Sequence, residues 1–212
     1  DAGYLLIDTA SIYKNEEAVG VAVSRWETEH QAHGSIRLAS KCSTYEMGFD
    51  KARLAFAASL QRLGRDSLDV YLIHWPGVAK KKHESSEHRT ARHDTWKALE
   101  TLYREGRARV IGVSNFNAVH LQQLIDDGVE VMPMLNQVEA HPLFVPEETV
   151  TFCSAHGIAI QAYSPLGGGP HSNAARAEGE AANGTLLLHQ HAVVREVSEE
   201  TGRTPAQVLL RW

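Results

Sequence analysis

Short apolar runs alternate with longer amphipathic segments along the whole chain. The runs are rich in β-branched residues and nearly continuous in apolar character, as strands buried on both faces should be. We predict strands at Leu5–Ile7, Ile36–Ser40, Leu68–Ile73, Val110–Val113, Met134–Val138 and Ile158–Ala162.

The segments between these runs have apolar residues at helical spacing. Glu16 to Glu29 places Val19, Val23 and Trp26 on one stripe, and Phe49 to Leu63 repeats an apolar residue every three or four positions. Strand, helix and strand in regular succession form βαβ units, which require a parallel sheet. The pattern alone leaves two architectures open, a (β/α) barrel and an open doubly wound sheet.

Both ends of the chain fall within predicted secondary structure. Thr204 and Pro205 are a good N-cap and first residue for a helix that continues to Trp212. Six predicted strands are also fewer than the eight of a closed barrel. If the fold is a barrel, we expect residues 1–212 to form a single domain truncated at both ends, without its first and last strands. A piece of a longer protein and a truncated product both fit this expectation.

Two long polar segments interrupt the alternation. Gly77 to Arg92 contains the string KKKHESSEHR and is predicted to be a loop. It fits either a solvated surface loop or a lid beside a pocket, because loops of this length are often functional. Ser164 to Gly184 is rich in Gly, Ala and Asn and is predicted to be a mobile loop.

Composition excludes several classes of partner. The net charge of -5 gives no basic surface for nucleic acid, and no apolar run is long enough to span a bilayer. Two cysteines do not make a disulfide framework, which indicates a cytoplasmic protein. The twelve histidines lack the spacing of a metal site, so we expect no bound metal.

Polar or ionisable residues stand at the end of each apolar run. Because parallel strands end at one edge, these side chains should meet at the edge where α/β enzymes keep their sites. The residues concerned are Asp8, Lys41, His74, Ser114, Asn115, Asn136, Gln137, Tyr163 and Ser164.

Tyr13 follows Asp8 by five residues and is a candidate proton donor. A phenol has too high a pKa to be an efficient acid near neutrality, and a nearby ammonium would lower that pKa. Lys41 can supply the ammonium, and Asp8 can pair with it so that its burial is tolerated. A neutral His74 can hydrogen-bond a carbonyl oxygen and orient it. These four residues predict a proton-donating site for a reduction, which also requires a hydride donor.

Conventional dinucleotide motifs do not explain where a hydride donor would bind. No G-x-G-x-x-G follows any predicted strand, so a Rossmann site is not expected. The triplet Gly167 to Gly169 is a weak signal for a phosphate loop and by itself indicates only a turn.

Five strings together carry a family resemblance. GYLLIDTASIYKNEEAVG, LIHWP, IGVSNFN, LNQVEAHP and AYSPLGGG occur in the order in which similar motifs occur in aldo-keto reductases. The chain resembles that family from Gly3 to Trp212. The resemblance implies a (β/α)8 TIM barrel and NADPH-dependent reduction of aldehydes or ketones, with a small-molecule carbonyl substrate and a monomeric protein.

The resemblance also implies roles for individual residues. The family tetrad falls on Asp8, Tyr13, Lys41 and His74, with Tyr13 as the general acid in reduction. The nicotinamide carboxamide would be held by Ser114, Asn115 and Gln137, and Tyr163 would stack on its ring. The remaining implied contacts are Ser164 and Leu166 near the pyrophosphate, and Trp75 and Tyr45 in the substrate pocket.

One departure from the family pattern leaves alternatives open. Family members often carry an aromatic residue two places after the lysine, whereas Lys41 is followed by Cys42 and Ser43. This changes one wall of the implied pocket, and Cys42 fits either a reactive thiol beside a cation or a buried, inert one. A second function also remains open, a cofactor-binding regulatory subunit of the same fold with little turnover.

Overall fold

The computed structural model of the protein describes residues 3–167 and 188–212. Within them, six parallel strands form one sheet in chain order, each hydrogen-bonded to the next. This order confirms the parallel sheet predicted from the alternating pattern. The strands are β1 (Leu6–Asp8), β2 (Arg37–Cys42), β3 (Leu68–Ile73), β4 (Ala108–Ser114), β5 (Leu135–Glu139) and β6 (Ala159–Tyr163).

Helices connect and flank these strands. Thr204 caps the last described helix through a reciprocal capping box with Gln207, as the sequence predicts for a helix beginning at Pro205. The described α-helices are α1 (Glu16–Glu29), α2 (Phe49–Leu63), α3 (Glu87–Arg104), α4 (Ala118–Asp126), α5 (Glu147–Ala155), α6 (Ala192–Thr201) and α7 (Pro205–Arg211).

The sheet is curled into a partial barrel. Gln137 on β5 donates a hydrogen bond of 2.7 Å from its Nε2 to Oδ2 of Asp8 on β1, although three strands lie between them in the sheet. In a flat sheet these side chains would be about 19 Å apart, given the usual spacing between strands. The curl therefore brings the carboxyl ends of distant strands to one mouth. That eight strands complete the barrel, and that the first and last are missing, stay predictions.

Most observed strands extend further towards their carboxyl ends than predicted. Asp8, Lys41, Ser114 and Tyr163 are the last or next-to-last residues of their strands and do not belong to the following loops. Lys41, the next-to-last residue of β2, is 0% exposed. Hydrogen bonding to the neighbouring strand continues through these polar residues, which hydrophobicity alone does not show.

The segment Gly77 to Arg92 is only partly a loop, which corrects the prediction. Helix α3 begins at Glu87, so residues 87–92 form its first turns. Arg92 is buried and donates from Nη1 to the carbonyl oxygen of Pro76, 2.8 Å away. The second half of the polar string is therefore the amphipathic start of a helix, and the loop proper covers residues 77–86.

Close packing against α2 and a buried carboxylate help to attach α1 to its surroundings. Gly20 faces α2 so closely that a Cβ atom built on it would lie 2.6 Å from the carbonyl oxygen of Leu63. Near the end of the helix, Glu27 is 1% exposed and accepts hydrogen bonds from Arg65 and from the backbone amides of Gly34 and Ile36. Glu27 thus holds the chain that leads into β2.

The described helices include none long and apolar enough to cross a lipid bilayer.

Candidate active site

An ion pair between Asp8 and Lys41 lies at the carboxyl ends of β1 and β2. Lys41 donates from Nζ to Oδ1 of Asp8 and to the carbonyl oxygen of Thr9, the latter at 3.0 Å. The Lys41 side chain is buried, whereas that of Asp8 is 33% exposed. Burial lowers the pKa of Lys41, and Asp8 opposes that effect by stabilising the charged form. The pair holds a cation inside the barrel mouth.

Tyr13 and His74 approach each other above this pair. The Tyr13 hydroxyl lies 3.4 Å from Nε2 of His74, and their rings meet edge to face with centroids 5.5 Å apart. Lys41 Nζ lies 5.2 Å from the centre of the Tyr13 ring. Tyr13 belongs to a 3₁₀ turn, Ser11–Tyr13, and is half exposed. The structure thus brings the four predicted residues together, with the Tyr13 phenol partly exposed to solvent.

The charge states of these groups differ in part from expectation. Burial and the negative charge of Asp8 raise the pKa of Tyr13, whereas the sequence predicts that Lys41 lowers it. Asp8 is ion-paired with the Lys41 ammonium and cancels much of its field at the phenol, which explains why the pKa of Tyr13 is not lowered. Burial and the charge of Lys41 lower the pKa of His74 to about 4, so His74 is neutral at physiological pH, as expected. Tyr13 is correspondingly a protonated phenol.

Four polar residues form a hydrogen-bonded rim next to the tetrad. Asn115 donates from Nδ2 to the carbonyl oxygen of His74 at 2.9 Å, and its Oδ1 accepts from the Tyr163 hydroxyl at 2.9 Å. Ser114 donates from Oγ to the carbonyl oxygen of Gln137 at 2.9 Å. Asn115 has a φ of 62°, a left-handed conformation that asparagine tolerates better than most residues. These bonds link the ends of β3, β4, β5 and β6.

Gln137 connects this rim to the ion pair. Its Nε2 donates to Asp8 and also to Oε1 of Gln161, 2.8 Å away on β6. Because a carboxylate only accepts hydrogen bonds, Asp8 determines which end of the Gln137 amide points towards it. Gln161 was not among the predicted site residues. The sequence does contain a sign that Gln161 belongs to the site: it is a polar residue two positions before Tyr163, on the same face of an otherwise apolar strand.

A cavity of about 620 Å³ opens between these groups. Three of the residues with predicted roles in the site do not line this cavity. Lys41 is buried behind its partner Asp8, which does line the cavity, whereas Tyr45 and Leu166 are exposed elsewhere. Gly168 and Gly169, like most of the predicted mobile loop from Ser164 to Gly184, lie outside the described residues. The lining consists of Asp8, Ile12, Tyr13, His74, Trp75, Ser114, Asn115, Gln137, Gln161, Ala162, Tyr163 and Ser164.

A second cavity of about 960 Å³ lies on the other side of Trp75. The loop 77–86 and the first turns of α3 and α4 enclose it, with Thr44, Arg92 and His120 among its lining residues. Trp75 lines both cavities and is 48% exposed. The loop therefore lies next to a pocket that adjoins the first cavity, as the lid alternative requires.

Cys42 is the buried thiol of the two alternatives. It is 0% exposed, and its Sγ lies within 3.7 Å of the carbonyl oxygen of Ser43 and 3.5 Å of that of Glu46. Burial and the charge of Glu46 raise the pKa of Cys42, which disfavours a thiolate. The described residues contain no group of three or more His, Cys, Asp or Glu side chains that could hold a metal ion.

Comparison with known proteins identifies the family. The family model described as "Aldo/keto reductase family" matches residues 1–212. The chain belongs to the aldo/keto reductase family. It is 40% identical over 210 residues to glyoxal reductase of Bacillus subtilis and 40% identical over 212 residues to 9,11-endoperoxide prostaglandin H2 reductase of Trypanosoma cruzi. These matches cover 99% and 100% of the chain but only 64% and 65% of the two relatives.

Solved aldo-keto reductases have the same fold. An aldo/keto reductase from Brucella melitensis superimposes with a TM-score of 0.81 at 36% identity, over 100% of this chain and 70% of that one. A Bombyx mori aldo-keto reductase in complex with NADP gives a TM-score of 0.83 at 31% identity, over 99% of this chain and 66% of that one. The curled parallel sheet with flanking helices is therefore the aldo/keto reductase fold.

Proposed function

We propose that the protein reduces aldehydes or ketones to alcohols, with NADPH as the hydride donor and Tyr13 as the general acid. The observation that carries this proposal is the convergence of Tyr13, His74 and the Asp8–Lys41 pair on one cavity. The relatives named as glyoxal and prostaglandin H2 reductases support the reaction class. A cytoplasmic, monomeric protein remains part of the proposal.

The cavity suits a nicotinamide cofactor chemically. A nicotinamide is a flat ring with one amide group, which needs an aromatic face and both donors and acceptors of hydrogen bonds. Tyr163 can offer its ring, while Ser114, Asn115 and Gln137 offer a hydroxyl and two amides beside it. Ser164, with Leu166 outside the cavity, would approach the pyrophosphate. When bound, the cofactor supplies the hydride. The Bombyx mori relative was solved in complex with NADP, which supports NADPH as the cofactor rather than NADH.

Tyr13 would deliver the proton to the carbonyl oxygen. Its pKa is raised by burial and by Asp8, so the hydroxyl keeps its proton at neutral pH. His74 is neutral and can hold the same carbonyl oxygen, which fixes the geometry for proton transfer. Lys41 would stabilise the phenolate that forms as the proton leaves. Asp8 keeps this ammonium charged despite its burial.

Trp75 and Ile12 would provide the apolar wall for the substrate. Both line the cavity and are about half exposed, at 48% and 46%. Two places after Lys41, where family members often have an aromatic residue, this chain has Ser43. The apolar wall would therefore have a smaller side chain on the side of β2. Tyr45 remains a predicted pocket residue that lies outside the cavity described above. We propose a small-molecule carbonyl compound as substrate.

Tyr13→Phe in the natively expressed protein tests the proposal. The variant removes only the hydroxyl, so carbonyl reduction should collapse while NADPH binding, followed by fluorescence, survives. Tyr103→Phe is a matched control, since Tyr103 is a partly exposed tyrosine near the end of α3 that does not line the cavity. If Tyr13→Phe keeps its turnover, Tyr13 is not the general acid.

A panel of aldehydes separates this proposal from the regulatory alternative. A cofactor-binding subunit would bind NADPH without consuming it, whatever aldehyde is added. Steady consumption of NADPH by the wild-type protein, abolished in Tyr13→Phe, is the result that we expect. Binding without consumption across the panel would favour the regulatory subunit.

A further inference from the structure

In the turn that carries Tyr13, the side chains of Ile12 and Tyr13 provide little support. Ile12 and Tyr13 are 46% and 50% exposed, and the Tyr13 hydroxyl makes one long contact, of 3.4 Å, with His74. The turn follows Ala10, which is buried, and ends at Lys14 in a left-handed conformation with a φ of 56°. The position of the phenol therefore depends on how the turn itself is attached.

Ser11 and Glu46 provide such an attachment from a different part of the chain. Ser11 donates from Oγ to Oε2 of Glu46 at 2.6 Å, across 35 residues of sequence. The same carboxylate oxygen accepts from the backbone amide of Ser43 at 2.7 Å. Hydrogen bonds to a charged acceptor are shorter and stronger than neutral ones. Glu46 is thus a two-point clamp between the Tyr13 turn and the chain after β2.

The clamp joins the two chain segments that carry the acid and its ammonium. Ser43 is two residues beyond Lys41, and the Glu46 amide donates back to the Ser43 carbonyl oxygen at 3.0 Å, which closes a tight turn. Ser11 is two residues before Tyr13 in the 3₁₀ turn. A shift of either segment would change the separation between the phenol and Lys41.

We propose that Glu46 and Ser11 form a positioning pair, which holds the Tyr13 hydroxyl in register with Lys41 and His74 for proton transfer. The inference rests on the proposed function and adds to it two residues that do not touch the substrate. Proton transfer is sensitive to displacements of about 1 Å, which cost up to about a hundredfold in rate. Removing the clamp takes away the hydrogen bond that ties this turn to the chain after β2, so we expect the turn to shift on that scale.

The variants Ser11→Ala, Glu46→Ala and their combination test the pair. We expect kcat for carbonyl reduction to fall by about tenfold or more in each single variant, with little change in the KM for NADPH. The double variant should be no worse than Glu46→Ala, because both changes remove the same hydrogen bond. Glu46→Gln should recover much of the rate, since its amide oxygen still accepts from Ser11 and Ser43.

NMR of isotope-labelled tyrosine reports on the pair without any turnover. The Tyr13 signal is identified by its absence in Tyr13→Phe. Burial raises the pKa of Tyr13, so loosening the turn should move that signal and bring the pKa back towards its ordinary value. Glu27→Gln serves as the control, because it weakens a buried contact of α1 elsewhere and should lower Tm without moving the Tyr13 signal.

The outcomes distinguish this proposal from the proposed function. Losses that multiply in the double variant, or a Tyr13 signal and kcat unchanged in Ser11→Ala, would overturn the positioning role. A fall in Tm with an unchanged Tyr13 pKa would show a structural role only and would also overturn it. If the wild-type protein reduces no carbonyl compound, the proposed function fails, while the NMR titration still decides whether the pair positions Tyr13.

Discussion

Lys41→Met removes the ammonium beneath Tyr13 and keeps a side chain of similar length. Lys41 Nζ lies 5.2 Å from the centre of the Tyr13 ring. Two unit charges at that separation interact by about 3 kcal/mol at an effective dielectric constant of about 20. Asp8 offsets much of this field, and the phenol has lost only part of its proton in the transition state, so only a fraction of this energy is at stake. We expect kcat for reduction to fall by about tenfold to about hundredfold.

The assay follows NADPH consumption by the cofactor's absorbance at saturating aldehyde, together with the affinity for NADPH. Affinity should change little, because Lys41 lies beneath the cavity and does not line it. The fold should survive, because Asp8 is partly exposed and keeps its hydrogen bond from Gln137. Lys97→Met is the matched control, since Lys97 also forms an ion pair, with Glu100, but lies on α3.

Three results would refute this reasoning. A kcat within about twofold of wild type would mean that the ammonium does not stabilise the phenolate, whatever its distance. An equal loss in Lys97→Met would mean that the effect arises from lost ion pairing in general. A loss of NADPH affinity as large as the loss of kcat would instead place Lys41 in cofactor binding.

Three further predictions concern stability, each measured by thermal or urea unfolding followed by circular dichroism. Gly20→Ala, which usually stabilises a helix by about 1 kcal/mol, should destabilise here, because its Cβ would lie 2.6 Å from the Leu63 carbonyl oxygen; an unchanged or raised Tm would contradict this. Although burial opposes it, hydrogen bonds from Arg65 and backbone amides lower the pKa of Glu27. The ionised Glu27 therefore stabilises the fold fully above its pKa in the unfolded chain, and this contribution is lost as the pH falls through its pKa in the folded protein. Glu27→Gln should lower the free energy of unfolding by about 1–3 kcal/mol at neutral pH. A loss that does not shrink below about pH 4 would refute this prediction. Burial and the charge of Arg92 lower the pKa of His120 from 6.5 to about 4. The unfolded chain therefore binds a proton at His120 more readily than the folded protein, so the free energy of unfolding is undiminished above about pH 6.5 and falls as the pH approaches 4. His120→Gln should lessen that acid-induced loss, and an identical pH profile would count against it.

Much of the site could be predicted before any coordinates. Parallel strands end at one edge, so a polar residue at the end of each apolar run already indicates that Asp8, Lys41 and His74 converge. The predicted boundaries of α1 and α2 match those of the structure, because their apolar stripes are strong local signals. Gln161 and Glu46 were missed, because their contacts with Gln137 and Ser11 join residues that are distant in the sequence.

The sequence by itself determined the alternation of strands and helices, the parallel sheet and the identity of the four residues at its mouth. Those features depend on periodicity and chain order, which are local properties. Only the tertiary structure decided the direction in which the pKa of Tyr13 shifts, because that pKa depends on how far the phenol is buried and on the charge of Asp8 beside it. It likewise decided that Cys42 is buried and that Gln137 reaches Asp8, since both follow from the curl of the sheet and from packing between distant segments.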